Sequence, residues 1–227
     1  MPSIDLAIRP LRGTREDARF PLILLALLTL ICIVTVWSPP AGRTSWALEV
    51  GPGLVGVAVL IAVYPRFPMT RLVYAFVFVH ILILIYGGIY TYALNPLGEW
   101  AKHHFGWSRN HYDRIGHLAL GFFPAIITRE ILLRQTPLKR GGWLTFLVLS
   151  VILAVGAFWE LIEWWTALLV AGDVGQAFLG SQGDVWDAQW DMFLALVGAA
   201  ISLPLLGRVH DRAMARLFAG ETGARPA

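Results

Sequence analysis

Six apolar stretches, at about 20–38, 46–64, 72–94, 112–133, 143–171 and 187–207, alternate with shorter polar segments. A helix rising 1.5 Å per residue needs about 20 mainly apolar residues to cross ~30 Å of hydrocarbon. Each stretch meets that requirement, so the pattern predicts an all-α, polytopic membrane helix bundle with about six transmembrane helices. The expected domains are a basic cytoplasmic N-terminal tail at 1–19, the six-helix transmembrane domain at 20–207 and a cytoplasmic C-terminal tail at 208–227. The first stretch, PLILLALLTLICIVTVW, is longer than a secretory signal core and ends at Ser-Pro-Pro, so it reads as an uncleaved helix. The longest connections, 95–111 and 172–186, read as loops, and Trp100 and Trp107 mark the first as a segment lying on the outer interface. There is no inverted repeat, low-complexity linker or soluble domain.

Basic residues near span ends are retained on the cytoplasmic side. With the N-terminus inside, only Arg43, Lys102, Arg109 and Arg114 of the 18 lysines and arginines fall outside. Both termini are therefore expected in the cytoplasm. Composition agrees, because 57% of residues are hydrophobic and only 15% charged, against about 25% in soluble proteins. A pI near 9.3 would suit a nucleic-acid partner, but the basic residues sit in short clusters between apolar spans, which is a topological arrangement. The single cysteine, Cys32, lies within the first span and reads as packing.

The acids run the other way. Glu49, Glu99, Asp113, Glu160, Glu163, Asp173, Asp184, Asp187 and Asp191 all fall on or near the outer side. In HYDRIGHLALGF, Asp113 and His117 are four apart and share a helical face, where they can share a proton or a metal ion. In FWELIEWW, Glu160 is expected inside the outer half of the bilayer and Glu163 one turn higher, near water. An ionised carboxylate in hydrocarbon is disfavoured by at least about 2.5–3.5 kcal/mol, so Glu160 needs a partner or a proton. In GSQGDVWDAQWDMFLALVGAAIS, Asp187 and Asp191 continue into Ala195, Gly198, Ala199 and Ser202, a small-residue stripe suited to close helix packing; Asp184 reads as a cap.

These fragments are expected to meet at one depth, with His117 and Arg114 as the nearby bases. A site of this charge needs bound protons or a cation. The metal-ligand candidates are Asp113, His117, Glu160, Glu163, Asp187 and Asp191, and one imidazole among carboxylates suits a divalent ion such as Zn²⁺, Mn²⁺ or Mg²⁺. Glu160, His117 and Asp191 are the candidate catalytic groups. His80 reads as packing, Gly87-Gly88 as a loosening of the third helix, and the Arg129–Glu130 pair as topogenic.

YDRIGH, FWELIEWW and QGDVWDAQWDM, in that order, resemble the YjdF-like family of predicted bacterial inner-membrane proteins, over about residues 20–207; that family has no established activity. The chain resembles VanZ-like membrane proteins more distantly, with Glu163 where glutamine is usual and Ala195 where asparagine is usual. Those proteins are linked to glycopeptide (teicoplanin) resistance by an unknown mechanism, so the resemblance implies an envelope setting. Three functions fit the residues. The first is an outer-face metal- or proton-binding site acting on a lipid-linked or other envelope substrate; the second is a small ion- or proton-coupled transporter; the third is a non-catalytic lipid-binding scaffold. Membrane lipids are expected partners and nucleic acid is not; oligomeric state is left open.

Overall fold

The computed structural model describes residues 18–170 and 172–222; Arg9, Arg12, Arg15 and Arg225 of the basic ends lie outside the described residues. Eight α-helices follow in order: α1 (Arg19–Trp37), α2 (Gly42–Val63), α3 (Arg71–Tyr90), α4 (Pro96–Phe105), α5 (Tyr112–Gln135), α6 (Gly142–Leu169), α7 (Asp173–Leu179) and α8 (Asp187–Thr222). Six of them, α1, α2, α3, α5, α6 and α8, are long and apolar enough to cross a membrane. The chain is a polytopic helical membrane bundle. Ends of the bundle are called outer and inner below, following the Lys/Arg distribution.

Three local differences from the sequence expectation have plain causes. The connection at 95–111 contains α4, because Asn95 accepts a hydrogen bond from the Gly98 N–H, Pro96 occupies the first helical turn, and Gly106 ends the helix at φ 68°. The connection at 172–186 contains the short α7. Beyond residue 207 helix α8 continues through Thr222, and His210 and Met214 are buried against the bundle. At 36 residues it is about 54 Å long, longer than the hydrocarbon layer.

α5 is the most buried span and α1 the least. α5 and α8 cross so closely that a Cβ on Gly121 would collide with the Ala195 carbonyl, and one on Gly198 with the Leu118 carbonyl. Ala195, Ala199 and Ser202 are fully buried in the same seam, as the small-residue stripe predicted. α6 completes this core through Leu144, Val148 and Ile152. α2 and α3 form a second layer around Trp46, Val50, Ile81 and Ile85, with Leu28 of α1 packed on it. α3 runs unbroken through Gly87. That glycine makes room for the Tyr92 ring, which folds back after Thr91 turns the chain at φ 65°.

At the inner end, Glu130 is fully buried. It accepts hydrogen bonds from the Thr70 N–H at 2.9 Å and hydroxyl at 2.7 Å and from Arg134 at 2.7 Å, and meets His210 Nε2 at 3.0 Å. Arg129 lies 2.6 Å from His210 Nδ1 and 2.8 Å from Asp211. The Arg129–Glu130 pair is thus more than a topological signal: it ties α3, α5 and α8 together.

Candidate functional site

Three helices deliver acids to one place near the outer end. The first two turns of α5 supply Asp113 and His117, α6 supplies Glu160 and Glu163, and the start of α8 supplies Asp187 and Asp191. His117 is the hub. Its Nε2 lies 3.6 Å from Asp113 Oδ1 and its Nδ1 lies 3.7 Å from Glu160 Oε1, both just beyond hydrogen-bond length. Ligand atoms of Asp113, His117 and Asp191 lie within 4.8 Å of one another, and so do those of His117, Glu160 and Glu163. For comparison, opposite ligands of an octahedral ion at ~2.1 Å are ~4.2 Å apart. Water hardly reaches this cluster: His117 is 4% exposed and Asp191 1%. Yet His117 Nδ1, Glu160 Oε1 and Asp191 Oδ1 are buried without any hydrogen-bond partner.

A roof separates the cluster from the outer face. Arg109, buried just before α5, pairs with Asp187 at 2.6 Å, Asp184 at 3.4 Å and Asp113 at 3.8 Å, and donates to the Gly180 carbonyl at 3.4 Å. Beside it the Asn110 N–H donates to Gln182 Oε1 at 3.0 Å, and Gln182 Nε2 donates back to the Asn110 carbonyl at 2.8 Å. The connection before α5 is thereby clamped to the one after α7. Arg114 turns outward to Asp184 at 2.7 Å and lies over Trp190.

Beneath the roof a groove of about 450 Å³ runs down between α2, α3 and α5. Its outer head holds Glu49, Asp113, His117 and Glu163, and its shaft is lined by Gly56 and Val59, Leu84, and Leu120, Ile127 and Ile131. His80 also lines the shaft, with its ring stacked on Phe123. Packing is therefore part of its role, as expected. Trp159 and Phe178 close the head on the side of α6 and α7, where the Trp159 indole donates to Glu163 Oε1 at 2.6 Å.

All six candidate residues thus gather in one region, although not as one ligand shell. Asp187 is taken up by Arg109, which forms no ion pair with Asp191, Glu160 or Glu163. Glu163 does not reach water as expected: it is buried at 7% exposure and held by an indole, while Glu160, one turn further in, faces His117. Asp184 does more than cap: it accepts from the Trp186 N–H and also joins Arg109 and Arg114. Sequence reasoning missed two residues. Arg109 read as one of the few outer cations, and nothing in its spacing marked it as a bridge. Glu49 carried a usable signal, a single acid within the apolar run of α2. His111 brings no further cation, because burial, then Arg114 and Arg109, lower its imidazole pKa.

A family model described as a predicted membrane protein, DUF2238, matches residues 20–212. The chain belongs to this family. The DUF2238 chain is also 44% identical over 189 residues to the inner membrane protein YjdF of Escherichia coli (strain K12), which covers 83% of this chain and 90% of the relative. With its six spans, this DUF2238 protein is a multi-pass inner-membrane protein. No solved structure matches it.

Proposed function

We propose that this protein holds a divalent cation at His117, Asp113 and Asp191 near the outer membrane face and acts there on the oxygen-bearing head of a lipid or lipid-linked envelope molecule. The observation that carries this reading is the trio of buried atoms without partners, His117 Nδ1, Glu160 Oε1 and Asp191 Oδ1. An unsatisfied buried polar group costs about 1–3 kcal/mol, and more when charged. An ion at this place would answer Asp191 Oδ1 directly and, by fixing the His117 ring, let Nδ1 and Glu160 Oε1 answer each other.

A neutral imidazole has one lone pair, so His117 can serve a cation through only one nitrogen. Nε2 faces Asp113, which leaves Nδ1–H free to donate to Glu160 once the 3.7 Å gap closes. Glu160 then orients the ring in the manner of a carboxylate behind a metal-bound histidine. Bound there, a divalent ion supplies Lewis-acid polarisation of a head-group oxygen. Glu163, at the groove head beside the Trp159 indole, would hold the proton exchanged with the lipid head, while Arg109 keeps Asp187 occupied.

Elemental analysis of purified protein, followed by titration of metal-stripped protein with Zn²⁺, Mn²⁺ and Mg²⁺, tests the proposal. We expect one ion per chain, a lower melting temperature in chelator, and loss of binding in His117→Ala and Asp191→Asn. Glu160→Gln should weaken binding about 10–100-fold, the usual effect of losing such a supporting partner. Affinity should fall as pH drops, because protons compete for imidazole and carboxylate. No ion in any titration, with melting indifferent to chelator, would sink the reading.

A further inference from the structure

We propose that the groove between α2 and α5 admits one hydrocarbon chain of a bilayer lipid from the side, delivering the lipid's head to the His117 cluster. The placement of the head rests on the metal-dependent reading above; the placement of the chain rests on the groove alone.

Four observations point the same way. First, the shaft is walled by aliphatic residues, with His80 as its one polar side chain and the acids confined to its outer head. Second, the water side is closed by the Arg109 pairs and the Asn110–Gln182 clamp. Third, the α2 side of the inner mouth is open, where Val59 is 55% exposed on a membrane-spanning helix. Fourth, the size is right. The groove follows α2 from Glu49 to Leu60 for about 16 Å and α5 from Asp113 to Ile131 for about 27 Å, so it is at least as long as one leaflet's share of the ~30 Å hydrocarbon layer. Its volume of about 450 Å³ falls within the ~300–1,000 Å³ of ligand sites. A water-soluble substrate has no such route, and the polar head would give a purely apolar ligand no purpose.

Gly56 makes the proposal testable. It lines the groove, and a Cβ there would meet no atom within 4 Å. A larger side chain can therefore be placed on the groove lining without its Cβ striking a neighbouring helix.

The experiment reconstitutes the full chain into nanodiscs containing phosphatidylglycerol with a mid-chain diazirine, irradiates them and maps adducts by mass spectrometry. Adducts are expected on Leu84, Leu120 and Ile127. In Gly56→Phe they should fall about tenfold, equivalent to ~1.4 kcal/mol of binding, while those on the exposed Leu30 and Ile33 of α1 stay constant. Leu120→Trp, which fills the opposite wall, should do the same, and unchanged metal content and melting would exclude misfolding. Groove adducts no more frequent than those on α1, or insensitive to both variants, would overturn the proposal. A metal-free protein whose groove adducts still respond to Gly56→Phe would refute the metal reading and keep this one. Bound metal without groove adducts would do the reverse.

Discussion

Gly198→Ala, the smallest change available at that position, is expected to destabilise the protein by about 1–3 kcal/mol, the range for overpacking a tight interior. Helix propensity predicts the opposite sign, since alanine is favoured over glycine by about 1 kcal/mol. Geometry decides the contest. The added methyl would meet the Leu118 carbonyl and the Phe122 N–H, both main chain of α5, and main chain within a helix cannot change rotamer to make room. α8 has to move off α5, and Asp191 moves with it. Thermal melting in detergent gives the check, with Gly56→Ala as the control, because open space there predicts no loss. A Gly198→Ala protein that melts at or above the parent temperature would contradict the seam described here.

Glu130→Ala should be more damaging still, by about 3–5 kcal/mol, as is usual when one partner of a buried ion pair is deleted. Four donors or partners converge on this carboxylate. Arg134 would keep the Pro68 carbonyl and its position over the Phe67 ring but lose its one ion-pair partner among the described residues. Thr70, which caps α3 by accepting from the Val73 N–H, would lose its anchor to α5. Glu130→Gln retains acceptors for part of this set and should fall between the two. Melting and protease resistance of the three proteins order them; equal stability of Glu130→Ala and parent would refute the role assigned to the network.

Much of this architecture was legible in the chain. Apolar length marked the spans, because a membrane helix must satisfy every backbone group within itself. The spacing of Asp187, Asp191, Ala195 and Gly198 marked one face of α8 as both acidic and close-packed, and it is. The convergence of Asp113, His117, Glu160 and Asp191 followed from depth alone, since residues at one height on neighbouring helices have few places to go. Rotation about a helix axis was less accessible. Glu160 and Glu163 are three residues apart, and only the positions of α2 and α7 decide that Glu163 turns into the groove head. Arg109 and His210 were opaque for the same reason: their partners are 78 and 80 residues distant, and no local pattern announces such pairs.

The two polar clusters also set a dimension. Asp191 and His210 sit on the same unbroken helix, 19 residues apart, which is about 28 Å. Asp113 and Glu130 repeat nearly that separation along α5. The α5–α8 pair therefore behaves as a fixed gauge whose polar marks match the borders of a ~30 Å hydrocarbon layer. In a thicker bilayer the outer cluster would sink below the headgroups, and in a thinner one it would stand among them. Under the proposal that a lipid head reaches His117, bilayer thickness becomes a control on that access.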